Sequence, residues 1–566
     1  MPTIDIERAE FESLLGISFD GDLDKIDDVL AYVKGEVKAF DQKAGTISIE
    51  IKDTNRPDIW NIEGLTRTLK GFMGIKEGLQ TYHVNKESGE VYVDERLKNI
   101  RPYIGCSIVK NLDLTDAMIR GFMHLQDKLD QTYGRNRRRT SIGLYNLDLI
   151  KLPLHYTITK PEDISFVPLG FSEKMNLKQI LANHPKGLEY GEIVKGHAVY
   201  PILLDSEKTP LSFPPIVNSN DLGRITETTE NILVEVTGTS LETVLNTLKI
   251  VALSLIDRGG EAHTTRIHYM QKTLSDIVTP NFETRTIQLD LEYARRIIGL
   301  HLTGKQVVKL LAKAGYGVDK LEDEEITVRI PCYRTDVMHP IDVVEDVAIA
   351  YDYNKIKPVW RETHTTGTLR SEQTLTDLAT ALMIGLGFQE TFNYTLTNPD
   401  NLFTKMNTKK EKIIEISNPK VITMTCLRNQ LLPGLIEFIS NNLHVELPQR
   451  IFELGKITIP DSKSETKARD EETLAAVIYD ANASFTDIKS VIDSFFMNIG
   501  LKWELQECTH PSFIAGRTAS IIVSASNIGV IGELHPSVLQ AWKLENPASA
   551  FELNMTEIIR VKRRKA

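Results

Sequence analysis

The sequence predicts a multidomain α+β chain, and three observations carry that prediction. The chain is 566 residues long, its hydrophobic spacing switches repeatedly between the helical period and the strand period of two, and Pro- and Gly-bearing turns separate the two kinds of segment. One hydrophobic core serves roughly 100–200 residues, so several domains are expected. Hydrophobic residues make up 41% and charged residues 25% of the chain, ordinary proportions for a soluble globular protein. No uncharged apolar run approaches the roughly 18 residues that span a bilayer, so no membrane partner is expected.

The first domain is expected over 1–85. "RAEFESLLG" has helical spacing, "TISIEIK" at 46–52 alternates with period two, and Asn55 to Asp58 form a turn through Pro57 before an amphipathic helix that begins at Ile62. From 86 to 275 the runs "YIGCSIVKNL", "HYTITK", "YPILLD" and "NILVEVTGT" read as strands of a β-rich mixed domain. Residues 276–360 form a small helix–strand domain, with Thr303 as N-cap for "GKQVVKLLAKAG" and Gly315 as its stop. Residues 361–566 open with the amphipathic run "QTLTDLATALMIGLGF" and continue through "AAVIYD", "ASIIVSA" and "NIGVIGEL", which predicts a large antiparallel sheet flanked by helices.

Composition excludes several classes. Four cysteines, at 106, 332, 426 and 508, stand without a C-x-x-C pair, which argues against a thiolate zinc site or a disulfide framework. A net charge of −11 sets the chain as a whole against a nucleic-acid coat, and the basic runs "RNRRR" at 135–139 and "VKRRKA" at 561–566 read as solvated surface. The opening "MPTIDIERAEFESLLG" carries acids and no apolar leader region, so a cytoplasmic location is expected.

The stretch "YRTDVMHPIDVVEDVAIAYDYNKI" concentrates carboxylates. Pro340 suits a first helical turn, and Asp342, Glu345 and Asp346 then share one helix face, within reach of Asp336. Four acids in one place repel unless a cation or a basic partner joins them, and oxygen ligands suit Mg²⁺. The alternative is that the acids complement the helix dipole and are solvated.

"TNRPDIWNIEGLTRTLKGFMG", "RIPCYRTDVMHPIDVVEDVAIAYDYNKI", "SNPKVITMTCLRNQLLPGLIEFISNN" and "RIFELGKI" occur in that order. Together they resemble the β subunit of phenylalanyl-tRNA synthetase in its archaeal/eukaryotic form, over essentially the whole chain. The resemblance implies that Asp336, Asp342, Glu345 and Asp346 bind Mg²⁺ shared with an α subunit, in a structural role. It implies that 276–360 is a B5-like domain and that 361–566 is a non-catalytic copy of the class II synthetase fold. Arg428 and Arg517 lie in no complete ATP signature, and no Walker A or G-x-G-x-x-G is present, so ATP is expected to be a substrate of the assembled enzyme only.

The β-rich domain resembles the family's B3/B4-like editing domain, which hydrolyses tyrosine wrongly attached to tRNA(Phe). From the matching stretches "YPILLDSEKTPLSFPP" and "NILVEVTGTS" the resemblance carries over Leu203, Ser212, Glu235 and Thr237, with Glu235 where archaeal relatives are expected to have Asp. Glu235 would accept the tyrosine hydroxyl or orient a water, Thr237 and Ser212 would position polar groups, and Leu203 would line the wall. No Ser-His-Asp spacing is legible, so direct water attack is expected, with His197, His510 and His535 structural. The implied assembly is an (αβ)₂ heterotetramer acting on tRNA(Phe). Two rival readings are a stand-alone Mg²⁺-dependent enzyme built on the four acids and a nucleic-acid-binding module presenting a helix from 276–360.

Overall fold

In the computed structural model, which describes residues 2–270, 275–360, 363 and 365–565, the period-two run near the N-terminus forms the strand Thr46–Ile51. It buries Ile47, Ile49 and Ile51 on one face. The strand lies between Thr3–Glu7 and Gly35–Asp41 in an antiparallel three-stranded sheet. The helix Ile62–Phe72 starts where the side chain of Asn61 accepts from the Gly64 N–H at 3.1 Å. The same side chain donates to Ser254 Oγ at 2.8 Å, so one residue both caps its own helix and fastens it to the helix Leu241–Ile256. That helix is buried on almost every side, from Thr243 through Leu255, because it packs on a much larger sheet and against the helix Asp116–Gln131.

The larger sheet runs, edge to edge, Val217–Asn218, Pro210–Phe213, Tyr200–Leu204, Leu154–Thr159, Asn85–Val93, Glu261–Tyr269, Tyr103–Lys110, Ile232–Gly238 and Thr140–Asn146. Ile277–Thr279 joins it on Glu261–Tyr269 and so carries the sheet past residue 275. Two pairings in the middle are parallel, those of Asn85–Val93 with Glu261–Tyr269 and with Leu154–Thr159; the others are antiparallel. Every residue of Ile232–Gly238 is buried. Alternation sends Ile232, Val234 and Val236 into the core shared with Leu241–Ile256, and Leu233, Glu235 and Thr237 to the opposite face. A carboxyl group in the middle of a wholly buried strand is the feature on which the candidate site turns.

The strands Arg285–Asp290, Glu325–Ile330 and Gly317–Glu322 form a second small antiparallel sheet with three helices, Leu291–Ile298, Gly304–Lys313 and Pro340–Tyr351. Thr303 caps Gly304–Lys313 through a reciprocal pair with Gln306, and Gly315 follows at φ +82°. All of this lies in one unit, Met1–Val359.

The other unit, Trp360–Ala566, is built on a seven-stranded sheet in the order Gln389–Glu390, Gln449–Pro460, Ala468–Tyr479, Ala548–Asn554, Ser526–Leu534, Phe513–Val523 and Glu504–Glu507. Only the first pair is parallel. One face, carrying Leu474, Ala476, Phe551 and Leu553, packs under the helices Ser371–Gly385, Phe485–Ile499 and Met555–Lys565. The other face meets the helix Leu432–Asn441 through Ala475, Val477 and Ala550. It also carries Glu453 and Glu552, opposite one another across Ala475. Among the described residues no helix is long and apolar enough to cross a membrane.

Candidate functional site

A cavity of about 780 Å³ opens beside the edge strand Thr140–Asn146. Its walls are mainly apolar, with Ile119 and Met123 from the helix Asp116–Gln131, and Phe213, Ile216 and Val217 from the opposite side. Into this lining project Ser212 and Glu235. Glu235 sits in register between Cys106 on one neighbouring strand and Gly143 on the other. A Cβ at Gly143 would come within 2.6 Å of Glu235 Oε2 and would collide with the Tyr145 hydroxyl. The glycine therefore leaves room for Tyr145, two residues along and on the same face, to donate to Glu235 Oε2 at 2.8 Å.

The second carboxylate oxygen, Oε1, is buried and has no hydrogen-bond partner, and the same holds for Ser212 Oγ. Burial pushes the Glu235 carboxyl up to about 7, against the downward pull of the Tyr145 hydrogen bond, the Arg101 guanidinium and the Thr237 hydroxyl. The result is a carboxyl group near the midpoint of its titration at neutral pH, with Oε2 held firmly by Tyr145 and Oε1 without a close partner.

Ser212 and Glu235 are thus brought together at the cavity, whereas Leu203 and Thr237 stand behind it. Leu203 is fully buried beside Tyr145, Leu211 and Leu233 and faces Ser212 across its strand pair, so it packs the core instead of lining the wall. Thr237 is bound to Arg101, whose Nε donates to its Oγ1 at 3.0 Å and whose Nη2 donates to its carbonyl at 2.6 Å. Sequence reasoning missed Tyr145, Gly143 and Arg101. The run "TSIGLYN" does place Gly143 and Tyr145 on one strand face, but nothing local says that this strand pairs with Ile232–Gly238.

The four acids near the helix Pro340–Tyr351 do not converge. Asp336 accepts two hydrogen bonds from Arg334, at 2.9 and 2.7 Å, with Arg56 at 3.7 Å. Burial alone would push its carboxyl up, yet Arg56 and Arg334 hold it below the usual carboxylate range. Asp346, 6% exposed, accepts from the same Arg334 at 2.6 Å and from the Tyr316 hydroxyl at 2.5 Å. Glu345 is half-exposed and meets Lys34 at 2.7 Å. Asp342 turns back on the helix start, accepting from the N–H groups of Met338 and His339 at 2.8 and 2.7 Å.

Among the described residues no group of three or more His, Cys, Asp or Glu is arranged to hold a metal ion. The expected Mg²⁺ ligand set of Asp336, Asp342, Glu345 and Asp346 does not fit the ion as these residues stand. The cation that relieves the repulsion between Asp336 and Asp346 is a guanidinium from the chain itself.

Two further expectations change. The "RNRRR" run is not solvated throughout: Arg137 is buried, pairs with Asp130 at 2.9 Å, donates to the Pro215 and Ile216 carbonyls, and stacks on Tyr190. Arg428 is not free to grip a phosphate, since its Nη1 lies 2.6 Å from Glu453 and its Nε donates to the Lys456 carbonyl at 3.0 Å.

Removing the Arg334 guanidinium would leave Asp336 and Asp346 buried and facing each other. Arg334→Ala should therefore lower stability in urea unfolding by about 3–5 kcal/mol, while EDTA leaves the unfolding midpoint of the unaltered chain where it was. A midpoint that falls on chelation would reinstate the metal. For Glu235, the folded-state pKa of about 7 exceeds the ordinary 4.5, so its protonation stabilises the fold below the lower value and that stability is lost as pH rises through the higher one. Glu235→Gln, which mimics the protonated form, should differ little from the unaltered chain in acid and exceed it by about 3 kcal/mol above pH 7; equal stability at both pH values would refute the shift.

Residues 287–353 match the family model described as the tRNA synthetase B5 domain, and residues 356–555 match the phenylalanyl tRNA synthetase beta chain CLM domain. A phenylalanine–tRNA ligase beta subunit from Pyrococcus abyssi is 39% identical over 98% of this chain and 99% of its own. One from Thermococcus gammatolerans is 40% identical over 98% of both. The crystal structure of an N-terminal fragment of the phenylalanyl-tRNA synthetase beta subunit from Pyrococcus horikoshii superposes with a TM-score of 0.60 at 38% identity, covering 62% of this chain and all of that fragment. Identity at this level along nearly the whole length of both partners means that the chain belongs to the phenylalanine–tRNA ligase β-subunit family.

Proposed function

We propose that the cavity at Glu235 hydrolyses tyrosine wrongly esterified to tRNA(Phe), and that the chain does so as the non-synthetic subunit of an (αβ)₂ phenylalanine–tRNA ligase. The observation that carries this reading is a pair of buried polar atoms without a close hydrogen-bond partner, Glu235 Oε1 and Ser212 Oγ, on two residues that line a mainly apolar cavity. An apolar pocket alone rejects an added hydroxyl by only about 100-fold, whereas a site built to hydrogen-bond that hydroxyl discriminates by about 10⁴–10⁵. Tyrosine and phenylalanine differ by that one group. A cavity that wants a hydroxyl is the complement of a synthetic site that cannot refuse one.

Glu235 Oε1 accepts the phenol proton in this reading, Ser212 Oγ completes its hydrogen bonding, and the apolar walls take the ring. Thr237 acts through Arg101 and Leu203 through packing, so both position the site without touching the substrate. His184, the histidine lining the cavity, has one ring nitrogen accepting from the Lys186 N–H at 3.1 Å and the other 3.2 Å from the Leu169 carbonyl. It is not free to activate Ser212, which favours direct attack of water on the ester over a covalent intermediate.

Adenylate formation belongs to the α subunit on this reading. It requires cationic groups clamped on ATP phosphates, and Arg428 is committed to Glu453, while Arg517 pairs with Glu533 at 2.6 Å. The region 86–275 then serves as the editing domain, 276–360 as the B5-like domain, and 361–566 as a class II-like scaffold without synthetic chemistry.

In the assembled enzyme, Glu235→Ala should leave phenylalanine charging within about twofold and slow deacylation of tyrosyl-tRNA(Phe) by at least roughly tenfold. Unaltered deacylation would remove Glu235 from the reaction. The chain purified alone should show no ATP–pyrophosphate exchange, and exchange should appear on adding the α subunit; robust exchange by the lone chain would overturn the division of labour.

A further inference from the structure

Tyr145 is fully buried, and its hydroxyl lies 2.8 Å from Glu235 Oε2 and 3.4 Å from Asn218 Oδ1, with the Ser212 side chain also beside it. It carries one proton, which goes to the nearer acceptor when that acceptor is a carboxylate. The contact exists because residue 143 is a glycine. We propose that Tyr145 is the positioning residue that makes Glu235 selective for a hydroxyl-bearing side chain: by occupying Oε2 at 2.8 Å it fixes the rotation of the carboxylate, and with it where Oε1 can accept from a substrate. This rests on the hydrolytic reading above.

The logic is one of counting acceptors. A carboxylate with both oxygens free can rotate, bind a water on each, or take up a proton, and any of these blunts its demand for a donor from the substrate. With Oε2 held, a phenol in the cavity completes the group and a phenyl ring leaves it orphaned. Donation to Oε2 also favours the ionised form. Tyr145 therefore sets both where the free oxygen points and down to what pH it stays an acceptor.

The other groups around the carboxyl do not supply that bond. Arg101 is spent on Thr237, Ser141 and the Arg137 carbonyl. Cys106, beside Glu235 in the strand pair, is a buried thiol pushed up by burial and by Glu235 itself. The Tyr156 hydroxyl donates to the Arg101 carbonyl at 3.0 Å. Of the charged or titratable cavity residues, Arg137 pairs with Asp130, Lys186 with Glu189, and His184 with backbone. Asp127 and Arg224 line the cavity and make no hydrogen bond to Glu235 among the described residues.

The test compares hydrolysis of tyrosyl-tRNA(Phe) and phenylalanyl-tRNA(Phe) by the assembled enzyme across pH. Tyr145→Phe should lower the tyrosine-over-phenylalanine preference by roughly 10- to 100-fold, the worth of a charged hydrogen bond, and move the acid limb of tyrosine release to higher pH. Installing 3-fluorotyrosine at 145 keeps the ring and strengthens the donor, so it should move the limb to lower pH. The two shifts have opposite signs, which a packing role would not produce, and the fluorinated variant decides the matter if the phenylalanine variant does not fold. If Glu235→Ala abolishes the preference while both Tyr145 variants leave preference and limb unmoved, the inference on Tyr145 is wrong and the hydrolytic reading stands. If Glu235→Ala also changes nothing, both fall.

Discussion

A single buried guanidinium ties together the strands behind the cavity. Arg101 is 2% exposed, and its donors reach three separate segments. They bind Thr237 on the Ile232–Gly238 strand, Ser141 Oγ on the edge strand at 3.0 Å, and the Arg137 carbonyl in the turn that leads into the edge strand, also at 3.0 Å. Burial lowers its proton affinity, opposed by Tyr156, Glu235 and Asp130. The planar fork of donors is stiff, so fixing three acceptors fixes the strands that carry them. Thr140–Asn146 is an edge strand paired on one side only. Its tie to Arg101 helps keep Gly143 opposite Glu235 and Tyr145 within hydrogen-bond range.

The same device recurs wherever the sequence crowds charge. Arg334 leaves the loop after Glu325–Ile330 and joins Asp336 to Asp346 on the helix Pro340–Tyr351. Arg137 closes on Asp130, and Arg428 on Glu453. Pairs like these contribute little net stability, because desolvation offsets most of the attraction, but breaking one strands a charge in the interior. Their effect is therefore on geometry. A helix, a strand or a turn that must deliver one partner to the other can occupy only one place. Arg428 and Arg517, which a sequence search offers for phosphates, are paired with Glu453 and Glu533, and Asp336 and Asp346, which it offers for a metal, share Arg334.

This explains which parts were legible in the sequence. Features set within a few residues could be read directly. Thr303 and Gly315 bracket their helix, Pro340 opens the next, and the alternation in "TISIEIK" gives a strand with one buried face. Glu235 and Ser212 came from a resemblance, and each does reach the cavity. What could not be read was pairing across long separations: Arg101 with Thr237, Tyr145 with Glu235, Lys34 with Glu345. A helical face of acids is correctly inferred from spacing, but spacing is silent on the arginine that arrives from a different element. For that reason the sharing of Arg334 by Asp336 and Asp346 could not be read from their spacing.

Glu235 then poses an energetic question that the rest of the architecture answers. An apolar residue at this position of a fully buried strand would contribute about 1.5–3 kcal/mol by burial, whereas a lone buried acceptor costs about 1–3 kcal/mol. The sheet tolerates the difference because its neighbours are strong: helix Leu241–Ile256 covers the other face, and Arg101 pins the strand at Thr237. The cost is also recoverable. A ligand that brings a hydroxyl to Oε1 removes it, and a ligand of the same shape without one does not. Selectivity in such a cavity is thus drawn from an instability stored in the empty fold, and it is largest where the carboxyl is ionised and its second oxygen is already held. If the cavity edits as proposed, strengthening the strand by removing the charge erases the preference in the same step, so that at this position stability and discrimination oppose one another.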